Sequence, residues 1–336
     1  GLYARDMAVF DGALLASMPS NDEIGRIELL STESTQIGRW GMRALHLPPV
    51  MQDLASGAGY VVDPGNALTV LDLVAGRLST VEGSGAAGDY RTDSFLNVSG
   101  GLAYVTTTPF FTSGSAALYQ VDLATAESVV IASASVGSGT EPTSYNSGAF
   151  DGARGRALVF DANLGALISV NPDDGVRENV SGGPVGEGEP WDQPLQVLYD
   201  ANGDRALVLD GAVVVSVDLQ TGDRTALTGG GAGSGDPLMQ PRAMALDLGG
   251  NRLIVRDTDT RSFVAVSLSD GARSPLVSDV EGIPAGAQGS LGPEPTRFDY
   301  DGARRVIFVA ALTDRGPRGL LEVDELSGDW VLLDLQ

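Results

Sequence analysis

Hydrophobic positions in this chain cluster into short runs rich in Val, Leu and Ala, and the runs close on Asp, Ser or Gly. RALVFD from Arg156 and RALVLD from Arg205 are two of them, each followed after a turn by a second apolar run, ALISV from Ala166 and VVVSVD from Val213. Runs of this length and Val/Leu content predict strands, and the Gly, Asn and Asp between them supply turn geometry.

The larger pattern is a repeat. RALVFDANLGALISVNPDDGVRENVSG from Arg156 is matched by RALVLDGAVVVSVDLQTGDRTALTGG from Arg205. One hairpin recurs most plainly: DLVAGRL from Asp72, DLATAES from Asp122, NPDDGVR from Asn171, DLQTGDR from Asp218, SLSDGAR from Ser267 and DELSGDW from Asp324. The copies are about 48 residues apart, and the 336-residue chain holds seven such units. A less regular first copy fits at the amino end, where MAVFDGALLASMP from Met7 parallels FLNVSGGLAYVTT from Phe95 and GRIELLSTES from Gly25 adds a third strand. The expected fold is all-β: a seven-bladed β-propeller of four-stranded antiparallel blades. It forms one domain, 1–336, with blades near 1–44, 45–93, 94–143, 144–192, 193–241, 242–294 and 295–336. Six blades are the alternative, if the first segment is an arm. Closing blades into a ring buries both faces of each sheet and leaves only short outer edges. The Gly/Ser/Pro stretches VGSGTEPTSYN, VGEGEPWDQP, GAGSGDPLMQP and GIPAGAQGSLGPEPTR recur at fixed phase, so they read as crossovers between blades.

QPRAMALDLGGNRLIVRDTDTRSFVAVSLSDG from Gln240 resembles the NHL-type repeat of the NHL and SMP-30-like propeller superfamily. The likeness is carried by Pro241, Asp247, Gly250, Asn251, Asp257, Thr258 and Gly271, with partial copies from Ser147, Leu195 and Arg297. The resemblance implies the fold. Relatives of this kind include protein-interaction platforms, RNA-binding regulators, calcium-dependent lactonase-like hydrolases and a metal-dependent amidating lyase.

Composition narrows these classes. Net charge is −23, and the 21 basic residues are all arginine against 44 Asp and Glu. Such a surface repels phosphate backbones and anionic headgroups, so no nucleic-acid partner is expected. Without lysine there is no Schiff base and no P-loop lysine. Without cysteine there is no disulfide, thiol nucleophile or Cys-ligated zinc. No apolar run of about 20 residues is present, so no transmembrane helix is expected. The sequence begins at Gly1, which fits a processed amino terminus, and a secreted, periplasmic or cell-surface location is expected.

Candidate chemistry is sparse. His46, in RALHLPP, is the single histidine, so any Ser-His-Asp triad would have to pass through it. No G-x-S-x-G elbow occurs, and a multi-histidine zinc site cannot be built. A formal G-x-G-x-x-G at Gly83, Gly85 and Gly88 enters a crossover rather than a helix, so it lacks the helix terminus that would hold a pyrophosphate. Carboxylates that could serve a hard cation such as Ca²⁺ are Asp257 with Asp259, Asp299 with Asp301, and Asp173 with Asp174. Many Asp residues recur at matching positions, as Asp151, Asp200, Asp247 and Asp301 do, and an Asx-type turn role explains that recurrence. The resemblance to lactonase-like relatives implies Ca²⁺ on the axis.

Repeated residues build blades, whereas residues that break the repeat can recognise a ligand. At the first-strand entrances these are His46, Arg91, Asp93, Tyr145, Asn146, Trp191, Gln193, Gln240, Arg242 and Arg297. Arginines beside a tryptophan and amides suit a carboxylate, a uronic-acid sugar or a short peptide. The expected function is an exported or surface-associated, non-catalytic binding propeller that holds a protein, peptide or anionic glycan at its axial loop face, alone or as a subunit of an extracellular assembly. The alternative is a calcium-dependent, lactonase-like hydrolase, or a lyase, with its metal on the axis.

Overall fold

A computed structural model of the chain describes residues 7–10, 13–18, 23–28, 34–39, 50–53, 58–62, 68–72, 77–80, 90–91, 98–99, 102–109, 116–122, 128–277, 298–302, 304–311 and 319–334. Among them there is no helix, and thirty strands form seven sheets. Strands β1 to β4 are Met7–Phe10, Ala13–Met18, Glu23–Glu28 and Ser34–Arg39; β5 to β8 are Val50–Asp53, Ala58–Val62, Leu68–Asp72 and Arg77–Thr80. The third sheet holds β9 to β13, Tyr90–Arg91, Val98–Ser99, Leu102–Pro109, Ala117–Asp122 and Ser128–Ala132. The fourth holds β14 to β18, Ser138–Gly139, Tyr145–Asp151, Arg156–Asp161, Ala166–Val170 and Val176–Gly182. Then come β19 to β22 (Pro194–Asp200, Arg205–Asp210, Val213–Asp218, Arg224–Thr228) and β23 to β26 (Pro241–Asp247, Arg252–Asp257, Ser262–Ser267, Arg273–Val277). Last are β27 to β30, Phe298–Asp301, Val306–Ala311, Gly319–Asp324 and Trp330–Asp334. Each sheet runs through its four main strands in chain order; β9 adds to β11, and β14 pairs in parallel with β18.

The chain divides into two compact units, one of residues 51–74 and 78–226 and the other of residues 1–50, 75–77 and 227–336. Strand β16 shows how the core of the first of these forms. Alternate residues of a strand point to opposite faces; Ala157 and Val159 join one buried cluster with Tyr104, Leu118 and Ile131, while Leu158 and Phe160 join another with Val197, Val208 and Val217. Both faces are thus covered, which explains a run with no polar position between Arg156 and Asp161. In the second unit Phe263 meets Phe298 edge-on at 5.0 Å. There, too, Glu325 is buried and accepts from Arg252 Nη1 and Nη2 at 2.9 and 2.7 Å, from Arg305 Nη2 at 2.6 Å and from the Tyr300 hydroxyl.

Two repeated devices set the blade geometry. At the first hairpin the Asp ending the first strand accepts from the Arg opening the second: Asp151 from Arg156 at 3.0 Å, Asp200 from Arg205 at 2.8 Å and Asp247 from Arg252 at 2.8 Å. At the third-to-fourth hairpin the fifth residue folds back, its N–H donating to the carbonyl of the first: Gly175 to Asn171, Gly222 to Asp218, Gly271 to Ser267 and Gly328 to Asp324, at 2.9 to 3.0 Å. All four glycines have positive φ, between 68 and 79°, where a side chain is disfavoured. A methyl on Gly222 would also collide with the Val180 carbonyl of the preceding sheet, and one on Gly271 with that of Leu227. This hairpin is pressed against its neighbour's backbone, which explains why it is the clearest repeat in the sequence.

Candidate functional site

The first-strand entrances are assembled by aspartates at the ends of second strands. Asp161 accepts the N–H groups of Thr143 and Ser144 at 2.6 and 3.1 Å, Asp210 those of Asp192 and Gln193 at 3.0 and 2.5 Å, and Asp257 those of Met239 and Gln240 at 2.6 and 3.2 Å. The entrance carbonyls answer: Ala162 N–H donates to Ser144, Gly211 to Gln193 and Thr258 to Gln240, at 2.9 to 3.0 Å. One buried carboxylate satisfies several backbone donors that would otherwise be costly to bury.

Immediately after each clamp the register slips by one residue, between Tyr145 and Ser147, Pro194 and Gln196, and Pro241 and Ala243. The extra residue of each bulge is Asn146, Leu195 or Arg242. Bulges re-aim side chains and often border binding sites, and here the bulge is repeated while its residue is not.

The other sequence candidates fall as follows. Tyr145 is fully buried in the core cluster, and burial pushes its hydroxyl well above the ordinary phenol range. Trp191 stands where the neighbouring copies have Pro142 and Leu238; its ring meets Phe160 edge-on at 5.3 Å, with the Arg224 guanidinium 5.5 Å over it. Gln193 and Gln240 are exposed, and Gln240 Oε1 accepts from the Thr258 hydroxyl at 3.0 Å. Arg242 is half-buried, and its buried Nε has no acceptor among the described residues. Arg91 lies in β9 opposite Thr108. His46, Asp93 and Arg297 lie outside the described residues, as do Gly83, Gly85 and Gly88.

For the cation candidates, Asp257 fits poorly: its carboxylate receives the N–H groups of Met239, Gln240, Asp259 and Thr260, and such an oxygen set is already committed to donors. Asp259 is exposed, and Asp299 and Asp301 lie in β27. Asp173 and Asp174 sit in the third-to-fourth hairpin, where Asp174 accepts from Val176 N–H at 3.0 Å. Among the described residues no group of three or more His, Asp or Glu side chains is arranged to hold a metal ion.

Three of the Gly-rich crossovers are docking loops. Arg177 donates to the carbonyls of Thr140 and Val136, both at 2.6 Å. Arg224 donates to Glu189, Val185 and Gly188 at 3.0 to 3.2 Å, and Arg273 to Asp236, Ala232 and Gly235 at 2.7 to 2.9 Å. Each arginine lies at the start of a fourth strand and is caged by a Gly-x-Gly loop, 136–142, 185–190 or 232–237.

One residue escaped the sequence reading. Arg256 occupies the place of Phe160 and Leu209, directly before the clamp aspartate, and like them it is fully buried. Its guanidinium lies 5.0 Å over the Phe263 ring, and none of its three nitrogens has an acceptor among the described residues. Desolvation pushes its pKa down to about 10, against a smaller pull from Asp257. Setting RLIVRD beneath RALVFD and RALVLD would have exposed it.

The sequence matches no family model and no curated protein. In fold the chain is a β-propeller protein, and 1351 solved chains resemble it, too many for the fold alone to select an activity. One is the propeller of Dos1, at 10% identity and TM-score 0.58, covering 92% of this chain and 76% of that one. Another is PorZ, a surface component of the type-IX secretion system of Porphyromonas gingivalis, at 13% identity and TM-score 0.63, covering 100% of this chain and 38% of that one. A third is an oligogalacturonate lyase in complex with manganese, at 12% identity and TM-score 0.60, covering 89% and 82%. Among the described residues no helix is long and apolar enough to cross a membrane.

Proposed function

We propose that this chain is a non-catalytic binding propeller, its seven sheets closing as seven blades, and that it recognises a protein, peptide or anionic glycan at the first-strand entrances. The observation that carries this reading is the repeated bulge. The clamp carboxylates are committed to backbone donors and the fourth-strand arginines to loop carbonyls, so the repeated polar residues serve the scaffold. The bulged residue changes from copy to copy, Asn146, Leu195 and Arg242 in turn, and the exposed Gln193 and Gln240 lie near it in sequence. Fixed sheets, each with a variable residue at its own entrance, suit recognition.

Export to a surface or extracellular setting fits the fold likeness to a bacterial surface component. The −23 charge favours neutral, basic or locally matched partners over nucleic acid. The test is a glycan and peptide array followed by titration calorimetry on the best binder. Asn146→Ala with Arg242→Ala should weaken it at least tenfold while Tm stays within a few degrees. Unchanged affinity in that double variant would overturn the reading. Calcium content, measured on protein purified without chelator, tests the hydrolase alternative, which needs one tightly held ion per chain.

A further inference from the structure

We propose that Arg256, with Arg242 beside it, forms a carboxylate-binding site at the entrance end of the sheet Pro241–Val277. This site rests on the reading of that end as the binding face, and it names the group recognised there.

The charge at this end of the sheet is unbalanced. A guanidinium stays protonated under ordinary conditions, and burying it without hydrogen-bond acceptors is among the costliest arrangements a protein can hold. Arg256 has no exposed surface, and the described residues offer no acceptor to Nε, Nη1 or Nη2. The nearest candidate counter-ion in sequence, Asp257, has its oxygens turned to the four N–H groups of the entrance clamp. The face of Phe263 offers a cation–π contact, which satisfies none of the five N–H donors.

The repeat shows that this arginine is not a scaffold requirement. Phe160 and Leu209 fill the same place in two other sheets and are fully buried apolar residues, so the fold accepts a hydrophobe there. One register step away, Ala243 is the cross-strand partner of Arg256, and the residue before it is the bulged Arg242, whose Nε is also buried without an acceptor among the described residues. The buried Arg256 guanidinium and the buried Arg242 Nε thus lie on adjacent strands at one end of one sheet, both without an acceptor among the described residues. A carboxylate is the matching ligand: it is planar, accepts two parallel N–H bonds from a guanidinium and supplies the missing charge.

The experiment is thermal unfolding of the intact chain at constant ionic strength in sodium acetate, sodium galacturonate or galacturonic acid methyl ester. The carboxylates should raise Tm saturably by several degrees at about 100 times Kd, and the neutral ester should not. A response to acetate and galacturonate alike identifies a general carboxylate site; a response to galacturonate alone identifies a sugar acid. Arg256→Leu, which copies Leu209, should raise the basal Tm and abolish the response. No carboxylate response in the unaltered protein, or an equal response in Arg256→Leu, would overturn the proposal. Array binders that hold Arg256→Leu as tightly as the parent but lose affinity with Asn146→Ala and Arg242→Ala would sink the carboxylate site and leave the binding-face reading intact.

Discussion

Buried charge at single positions follows two different rules in this protein. Glu325 stands where two other copies carry Leu219 and Leu268, and it is fully matched: Arg252, Arg305 and Tyr300 all donate to it. Burial alone would raise its pKa, but these hydrogen bonds outweigh that and bring it down from the ordinary 4.5 to about 2. A depressed carboxyl contributes stability that is present in full above its unfolded pKa and is lost as pH falls through the folded value. We therefore expect Tm to fall more steeply between pH 4.5 and 2 in the parent than in Glu325→Gln. Parallel acid limbs in calorimetric scans would contradict this. Arg256 is the opposite case, a buried charge that the described residues leave unmatched, and so it points outward to a ligand.

Within an element, the third-to-fourth hairpin links local backbone geometry to packing between sheets. Gly222 and Gly231 both hold positive φ, at 79 and 96°. An alanine at Gly231 would meet nothing within 4 Å, whereas one at Gly222 would strike the Val180 carbonyl. Gly231→Ala should cost about 1 kcal/mol of backbone strain, and Gly222→Ala clearly more, since two packed sheets must separate to admit the methyl. Urea denaturation of the pair checks this, and equal losses would show that the hairpin has room to shift. The same packing explains the caged arginines Arg177, Arg224 and Arg273. Their partners are carbonyls of Gly-rich loops some 35 to 41 residues away along the chain.

Across the whole molecule the strongest influence is charge. A net −23 makes the compact state repel itself, and the Debye length shrinks from about 30 Å at 0.01 M salt to about 8 Å at 0.15 M. Tm should therefore rise over that range in sodium chloride. A flat or falling Tm would mean that the Asp–Arg pairs, which salt weakens, outweigh the repulsion. The same field repels a carboxylate ligand at long range, so its capture depends on local donors, and added salt should speed its association.

The strands, their four-part repeat and the β-propeller class were legible in the sequence, because they rest on local chemistry. Turn geometry favours glycine at the fifth hairpin position, a tight hairpin favours a capping Asp, and a strand covered on both faces reads as an unbroken apolar run. Function was less legible because it depends on which side chains are left over after the sheets pack. Tyr145 and Trp191 break the repeat in sequence, yet one lies in the core and the other packs beneath a caged arginine. The clamp aspartates look alike as metal ligands or turn caps until their N–H donors are seen. Asn146 and Arg242 were visible as repeat-breaking residues, but the bulge that sets them apart is a property of strand register. Arg256 sits in a strand where an arginine would ordinarily face water; burial on both faces, which only the packed sheets create, turns it into an unmatched charge and the strongest pointer to a ligand.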